Sequence, residues 1–234
     1  MCIRDRYKTQ ESIAEALIEM GLEPNLNYGI TGVTAFIRGQ NAGPLIALRA
    51  DIDGLPVTEK LNLPFSSKAK TTYQGNEVGV MHACGHDAHI AVLLGVASFL
   101  SQNTDKLNGD ILLIFQPAEE GAPEGEEGGA ELMLKQGLFE AEKPDAIFGM
   151  HVANFKNGQI WTKPGPIMAS AEAFRIKVQG KQTHGSRPWS GVDPIIAASD
   201  IATTLQTIVS RRLNLLDSQA CLLYTSDAAD EQLS

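Results

Sequence analysis

Apolar residues near the start of the chain fall at Ile13, Ala16, Leu17 and Met20, a helical spacing preceded by Ser12 and halted by Gly21. The pattern predicts an amphipathic helix capped by Ser12. Two runs of β-type composition follow, Val33–Arg38 and Leu45–Ala50, joined by Gly39-Gln40-Asn41-Ala42-Gly43. A short glycine-bearing link of this kind predicts a β-hairpin and leaves Asp51 at a strand end. From Asp87 to Leu100 apolar residues dominate without alternation and over too long a stretch for a strand, which predicts a buried helix with His82–His86 in the loop before it. Asp110-Ile-Leu-Leu-Ile-Phe115 is apolar at consecutive positions, as a strand buried on both faces in a parallel sheet would be, and Gln116-Pro117 ends it. Glu131–Gln136, with Gly137 beyond, predicts a helix with a glycine stop, and Asp145–Met150 predicts a strand running into His151. Strands alternating with helices predict an α/β layered fold.

The texture changes after Pro164-Gly165-Pro166. Ala173–Gln179 alternates apolar and polar with period two, predicting a strand with one wet face. Asp193-Pro194 then opens a long helix through Ile195, Ala198, Ile201, Leu205, Ile208 and Val209, with Arg211-Arg212 at the negative end of its dipole. A domain boundary is expected near residue 167, giving domains at 7–166 and 167–219. Met1–Arg6 and Cys221–Glu231 resemble translated adapter sequence, so residues 1–6 and 220–234 are expected to be non-native ends.

Composition narrows the classes of partner. The 19 Lys and Arg against 28 Asp and Glu give a net charge of −9, the wrong sign for binding nucleic acid by counterion release. No apolar run approaches the ~20 residues of a membrane span, so no membrane association is expected. Cysteines at 2, 84 and 221 cannot make a disulfide framework, and the start lacks the apolar centre of a secretory signal. A cytoplasmic protein is expected.

All five histidines fall in three short segments, and His82-Ala-Cys84-Gly-His86-Asp-Ala-His89 places a thiol, three imidazoles and a carboxylate in a loop before a helix. That donor set suits a transition metal such as zinc or manganese, and Cys84 and His86, two apart in a loop, can point at one centre. Without a CxxC pair a closed structural zinc site is disfavoured. Gln116-Pro-Ala-Glu119-Glu120 supplies two carboxylates just past the carboxyl end of a buried strand, where open α/β sheets bind ligands. Metal-assisted hydrolysis needs ligands and a general base that is not a ligand, a division of labour two adjacent acids can meet. His151, at another strand end, would complete the donors. A cysteine hydrolase using Cys84 with His86 as base is the rival, disfavoured because residues so close share a metal more easily than they align for attack.

Five ordered motifs carry a resemblance: Leu48-Arg-Ala-Asp-Ile-Asp-Gly-Leu-Pro56, Met81-His-Ala-Cys-Gly-His-Asp-Ala-His89, Phe115-Gln-Pro-Ala-Glu-Glu-Gly121, Gly149-Met-His151, and His184-Gly-Ser-Arg-Pro188 with Gly191-Val-Asp-Pro194. Over about residues 10–218 the chain resembles the amidohydrolase branch of the aminoacylase and carboxypeptidase-like metallopeptidases, which includes hippurate hydrolase, N-acyl-amino-acid amidohydrolases and plant auxin-conjugate hydrolases. The resemblance implies a zinc-peptidase-like three-layer α/β catalytic domain interrupted by an α+β lid and dimerisation domain, both incomplete here. It implies that Cys84, His86, Glu120 and His151 are ligands of a two-metal site holding zinc or manganese, with nickel or cobalt as further candidates. Glu119 would be the base, Asp51 a carboxylate supporting the site from behind the ligands, and His184 a lid residue reaching the partner subunit's site in a homodimer of the full-length protein. The implied activity is hydrolysis of the amide bond of a small N-acyl amino acid, with a dipeptidase or carboxypeptidase as alternative. Two departures stand out. Ala122–Glu127 lengthens the loop after the paired glutamates, and the chain is expected to stop before the last histidine ligand, leaving it an inactive or binding-only fragment.

Overall fold

The computed structural model describes residues 3–73, 75–122, 125–167 and 174–212. The chain divides into two units, Met1–Lys156 and Asn157–Ser234. The expected non-native end at 220–234 and the inserted residues 123–124 lie outside the described residues.

In the first unit, helix α1 spans Ile3–Glu19 and buries Ile13, Ala14 and Leu17. It starts well before Ser12, which is therefore no cap: Arg4, Arg6, Lys8, Gln10 and Glu11 all favour helix, and nothing among them breaks it. The stop falls as expected, with Gly21 at φ 79° just past the helix. Strands β1 (Val33–Ile37) and β2 (Asn41–Asp51) follow, then a short pair, β3 (Lys70–Tyr73) and β4 (Asn76–Gly79), absent from the hydrophobic pattern because its residues are mostly exposed. Helix α2 is His86–Ser101, β5 is Asn108–Gln116, α3 is Gly129–Lys135 and β6 is Ala146–Gly149.

The expected hairpin does not form. The main sheet runs β1-β5-β2-β6, so β5 lies between the two strands that were to pair. It is antiparallel to β1, with Val33 opposite Phe115, and parallel to β2, with Asp51 opposite Gln116, while β2 is parallel to β6. The cause is burial. A strand apolar on consecutive positions is most stable with neighbours on both edges and layers on both faces. The linking glycines serve that arrangement, because a Cβ on Gly39 would come within 2.2 Å of Gly109 O and one on Gly43 within 2.5 Å of the Asn108 carbonyl. They let the start of β5 pass against the connection instead of making a hairpin turn.

Alternate residues of β5 then serve two cores. Leu113 and Phe115 pack with Ile13 and Leu17 of α1, Leu93 and Ala97 of α2, and Val33, Ala35, Ile37, Ala50 and Ile52. Leu112 and Ile114 pack on the other face with Ala47, Met133 and Leu138. The result is three layers, helices α1 and α2, a mixed sheet, and α3, as the α/β expectation requires. The strands β2, β5 and β6 point the same way, so their carboxyl ends gather three loops at one edge. No helix among the described residues is long and apolar enough to cross a membrane.

In the second unit, helix α4 (Pro194–Arg211) begins where expected, with the Asp193 carboxylate accepting from the Ile195 and Ile196 amides. Ala173 lies outside the described residues, and Phe174–Gln179 is not a strand, because alternation alone makes none without a paired neighbour. The one bridge described nearby joins Lys181 and Val192.

Phe115 is fully buried on the central strand, whereas Ile147 on the edge strand is half exposed. Phe115→Ala is expected to cost about 3–5 kcal/mol and Ile147→Ala well under half as much, read from urea unfolding of the two variants.

Candidate metal centre

Each loop at the carboxyl edge brings its own side chains. Asp51 is the last residue of β2 and fully buried, with His89 Nδ1 2.5 Å from its Oδ1 and Arg49 Nη1 2.7 Å from its Oδ2. Burial by itself would favour the neutral acid, but the bond from His89 and the nearby charges of Arg49 and His86 outweigh it and hold the Asp51 pKa below its ordinary value. Arg49 is in turn fixed by Gln116, whose Oε1 accepts from Nε at 2.9 Å.

Asp53, two residues on, is equally buried and carries the turn after β5. Its two carboxylate oxygens accept from the amides of Glu119 at 3.1 Å and Glu120 at 3.0 Å, just after Ala118, which sits at φ 52°. A non-glycine residue with positive φ is uncommon and persists only where its surroundings hold it. The Asp53 carbonyl accepts from His86 Nδ1 at 2.9 Å. Burial opposes ionisation of Asp53 too, and the bonds from His86 and the two glutamate amides win, lowering its pKa.

His86 opens α2 and is completely buried. With Nδ1 donating to Asp53, its Nε2 presents a lone pair, and that atom has no hydrogen-bond partner among the described residues. It lies 3.7 Å from Asp51 Oδ1 and 3.8 Å from Glu119 Oε2. His151 is set up alike: Nδ1 donates to the Val152 carbonyl at 2.6 Å, and Nε2 lies 3.4 Å from Cys84 Sγ. Donor atoms lie within 4.8 Å of one another in three overlapping groups, Cys84–His86–His151, His86–Glu119–Glu120 and Asp51–His86–His89.

This chemistry fits a divalent cation. A buried imidazole lone pair aimed at carboxylates is costly unless a cation satisfies it. Cys84 agrees: burial, the hydrogen bond to Glu120 and the negative charges of Glu120, Glu119 and Asp51 push its thiol up to about 11. A nucleophilic cysteine needs the opposite shift, so the cysteine-hydrolase alternative loses support, whereas a bound cation would neutralise the surplus negative charge.

The structure thus brings Asp51, Cys84, His86, Glu119, Glu120 and His151 to one edge of the first unit. His184 belongs to the second unit, exposed in the turn before Pro188–Ser190, where its Nδ1 accepts from the Ser186 amide at 3.2 Å. The residues to which the sequence reading gave no role are Asp53, Arg49 and His89. Their signals were present: Asp53 stands at i+2 from Asp51, the same side of an extended chain, and His89 at i+3 from His86, the same face of a helix.

A layered α/β domain with imidazole, thiol and paired carboxylates at its strand ends has the arrangement of a metallohydrolase. The chain belongs to Peptidase family M20/M25/M40, whose sequence profile matches residues 47–229. It is 43% identical over 216 residues to N-acetyl-L-cysteine deacetylase of Bacillus subtilis, covering 92% of this chain and 48% of that protein. Thermostable carboxypeptidase 1 of Saccharolobus solfataricus is 43% identical over 210 residues, 89% of this chain and 50% of that one. The chain spans about half the length of the curated relatives it matches. Among solved structures, a protein from methicillin-resistant Staphylococcus aureus described as an aminohydrolase superposes with a TM-score of 0.69 at 36% identity, over 89% of this chain and 52% of that one. Bacillus subtilis YxeP, a dinuclear metal-binding peptidase of the M20 family, superposes with a TM-score of 0.52 at 43% identity, over 62% of this chain and 36% of that one.

The environment of His86 sets a pH dependence. Burial lowers its basicity, but the bond to Asp53 and the charges of Asp51 and Asp53 prevail and raise its pKa. In the metal-free chain its stabilising contribution is therefore complete below the unfolded value of ~6.5 and lost as pH rises through the higher folded value. A metal at Nε2 competes with that proton, so metal-conferred stability runs the other way, growing as pH rises. Thermal unfolding at pH 6 and pH 8, with chelator and with added zinc, is expected to show these opposite slopes, and His86→Gln is expected to abolish both contributions.

Proposed function

We propose that the protein is a metal-dependent amidohydrolase that cleaves the amide bond between an acyl group and an amino acid. The observation that carries this reading is the buried, unpartnered Nε2 of His86, set between Asp51 and the paired glutamates. In this reading residues 7–166 belong to the catalytic domain and 167–219 to a lid that joins two subunits of a homodimer. A cytoplasmic setting would keep Cys84 reduced. Cys84, His86, Glu120 and His151 would hold two divalent ions, zinc or manganese with nickel or cobalt as further candidates, whose Lewis acidity polarises an amide carbonyl and acidifies water.

The chain's own residues divide the remaining work. Glu119 is the base: its amide is anchored on Asp53 while its side chain, 38% exposed, stays open to water and substrate. It accepts a proton from the attacking water and returns it to the amine nitrogen as the carbon–nitrogen bond breaks. Asp51 and Asp53 remain ionised and hold the imidazoles and the glutamate turn. His184, whose Nδ1 is engaged by the amide and hydroxyl of Ser186, would donate from Nε2 to an oxyanion in the partner subunit's site. Dipeptidase or carboxypeptidase activity is the alternative, supported by the carboxypeptidase relative.

In the full-length protein, Glu119→Gln is expected to lower hydrolysis of N-acyl amino acids by two or more orders of magnitude, roughly the contribution of general acid–base catalysis, while metal content by elemental analysis is unchanged. Glu120→Gln is expected to lose metal as well. Metal loss equal in both variants would reverse the two assignments.

The dimer role of His184 has its own test. Mixing a full-length His184→Ala protein with a Glu119→Gln protein is expected to restore part of the activity, because one site per heterodimer regains both residues. Verified heterodimers without recovery would refute action across the subunit boundary.

A further inference from the structure

We propose that His89, which stands outside the assigned ligand set, is a positioning residue: it seats the Val152 peptide and through it fixes the ring of His151. The proposal rests on the metal-centre reading given above.

His89 is 1% exposed, and both its ring nitrogens are committed. Nε2 accepts the Val152 N–H at 2.8 Å, so in the neutral ring the proton lies on Nδ1, 2.5 Å from Asp51 Oδ1. Asp51 is pinned by Arg49 at 2.7 Å, so the imidazole is a rigid post between the end of β2 and the segment after β6. That segment needs one. β6 is an edge strand ending at Gly149, and beyond it the chain is without strand or helix through Phe155, so no ladder places His151.

Val152 is held from a second side as well. A Cβ on Gly85 would come within 2.3 Å of Val152 Cγ2, and Gly85 sits at φ 79°, where glycine is favoured. The first turn of α2 and the residue before it therefore form a seat that accepts Val152 by a hydrogen bond and by a missing side chain. The Val152 carbonyl, on the same residue, receives His151 Nδ1 at 2.6 Å, which turns Nε2 toward Cys84. The His89 and His151 rings also meet edge to face, with centroids 4.7 Å apart. Moving the seat moves the ligand, and groups that orient ligands in this way typically account for about 10–100-fold in metal affinity.

Two substitutions separate the two bonds of His89. His89→Asn places its amide where Nδ1 was and reaches only Asp51, whereas His89→Gln extends to the former Nε2 position and reaches Val152. Cobalt(II) titration of the chain, read from the thiolate-to-cobalt charge-transfer band and by chelator competition, is expected to show His89→Asn about 10–100-fold weaker than wild type with the band diminished. His89→Gln is expected to recover most of both. Wild-type affinity in His89→Asn, or equal weakness in the two, overturns the proposal. Circular dichroism identifies any variant that fails to fold, leaving the others to decide. Absence of cobalt binding in the wild-type chain would refute the metal-centre reading instead. In that event the Val152 amide resonance of the metal-free chain decides for His89: protection from hydrogen exchange lost in His89→Asn and kept in His89→Gln supports the seat, and the same protection in both refutes it.

Discussion

Two carboxylates buried two residues apart at the end of one strand set the terms for everything around them. An ionised acid taken out of water is tolerated only when donors replace its hydration, and Asp51 and Asp53 both have pKa values below the ordinary carboxylate range despite burial that pushes the other way. Their donors are Arg49, His89, His86 and the amides of Glu119 and Glu120. The solvation of these two charges and the construction of the site are the same set of bonds. The turn carrying the paired glutamates, with Ala118 at positive φ, is held where it is because Asp53 needs two amides.

The layers were legible because they follow from periodicity. An unbroken apolar run announced β5 as the buried centre, and the stretch from Asp87 was recognisably a helix. Pairing was another matter. The link from Gly39 to Gly43 has the length and glycines of a hairpin, and only the competition for the central position, won by a strand more than sixty residues further on, separates β1 from β2. Local signals specify what a segment can be, and strand order is decided by which strand gains most from being covered. Phe174–Gln179 makes the complementary point, since alternation marks a capacity to pair and no partner for it occurs among the described residues.

The site was legible to the extent that its residues act through their own chemistry. Thiol, imidazole and paired acids are donor types whose grouping in the sequence already suggests a metal. Asp53 and His89 act on backbone amides instead, and a backbone partner leaves no mark in the sequence. Nothing in the identity of Glu119, Glu120 or Val152 says that its N–H will face a buried acceptor. What the sequence does carry is periodicity relative to a residue already chosen, with Asp53 two past Asp51, just beyond the end of its strand, and His89 three past His86 on a helix.

The three histidines of the centre show how such partners decide function among chemically identical side chains. His86 and His151 each donate from Nδ1 to a backbone carbonyl, of Asp53 and Val152, which leaves the Nε2 lone pair of His86 without a hydrogen-bond partner among the described residues and turns that of His151 to the Cys84 thiol at 3.4 Å. His89 has the same proton on Nδ1, but its Nε2 is already occupied by the Val152 N–H. It therefore has no lone pair to offer, although it lies within 4.8 Å of Asp51 and His86 in a group that by distance alone would pass as a ligand set. Proximity makes His89 a candidate, and the hydrogen-bond partner of its second nitrogen removes it. The same bond that disqualifies it as a ligand holds the peptide on which a true ligand candidate, His151, is mounted. A metal centre assembled from neutral imidazoles thus depends on the backbone groups around it, because each ring nitrogen that a carbonyl or an amide claims determines what the other one is free to do.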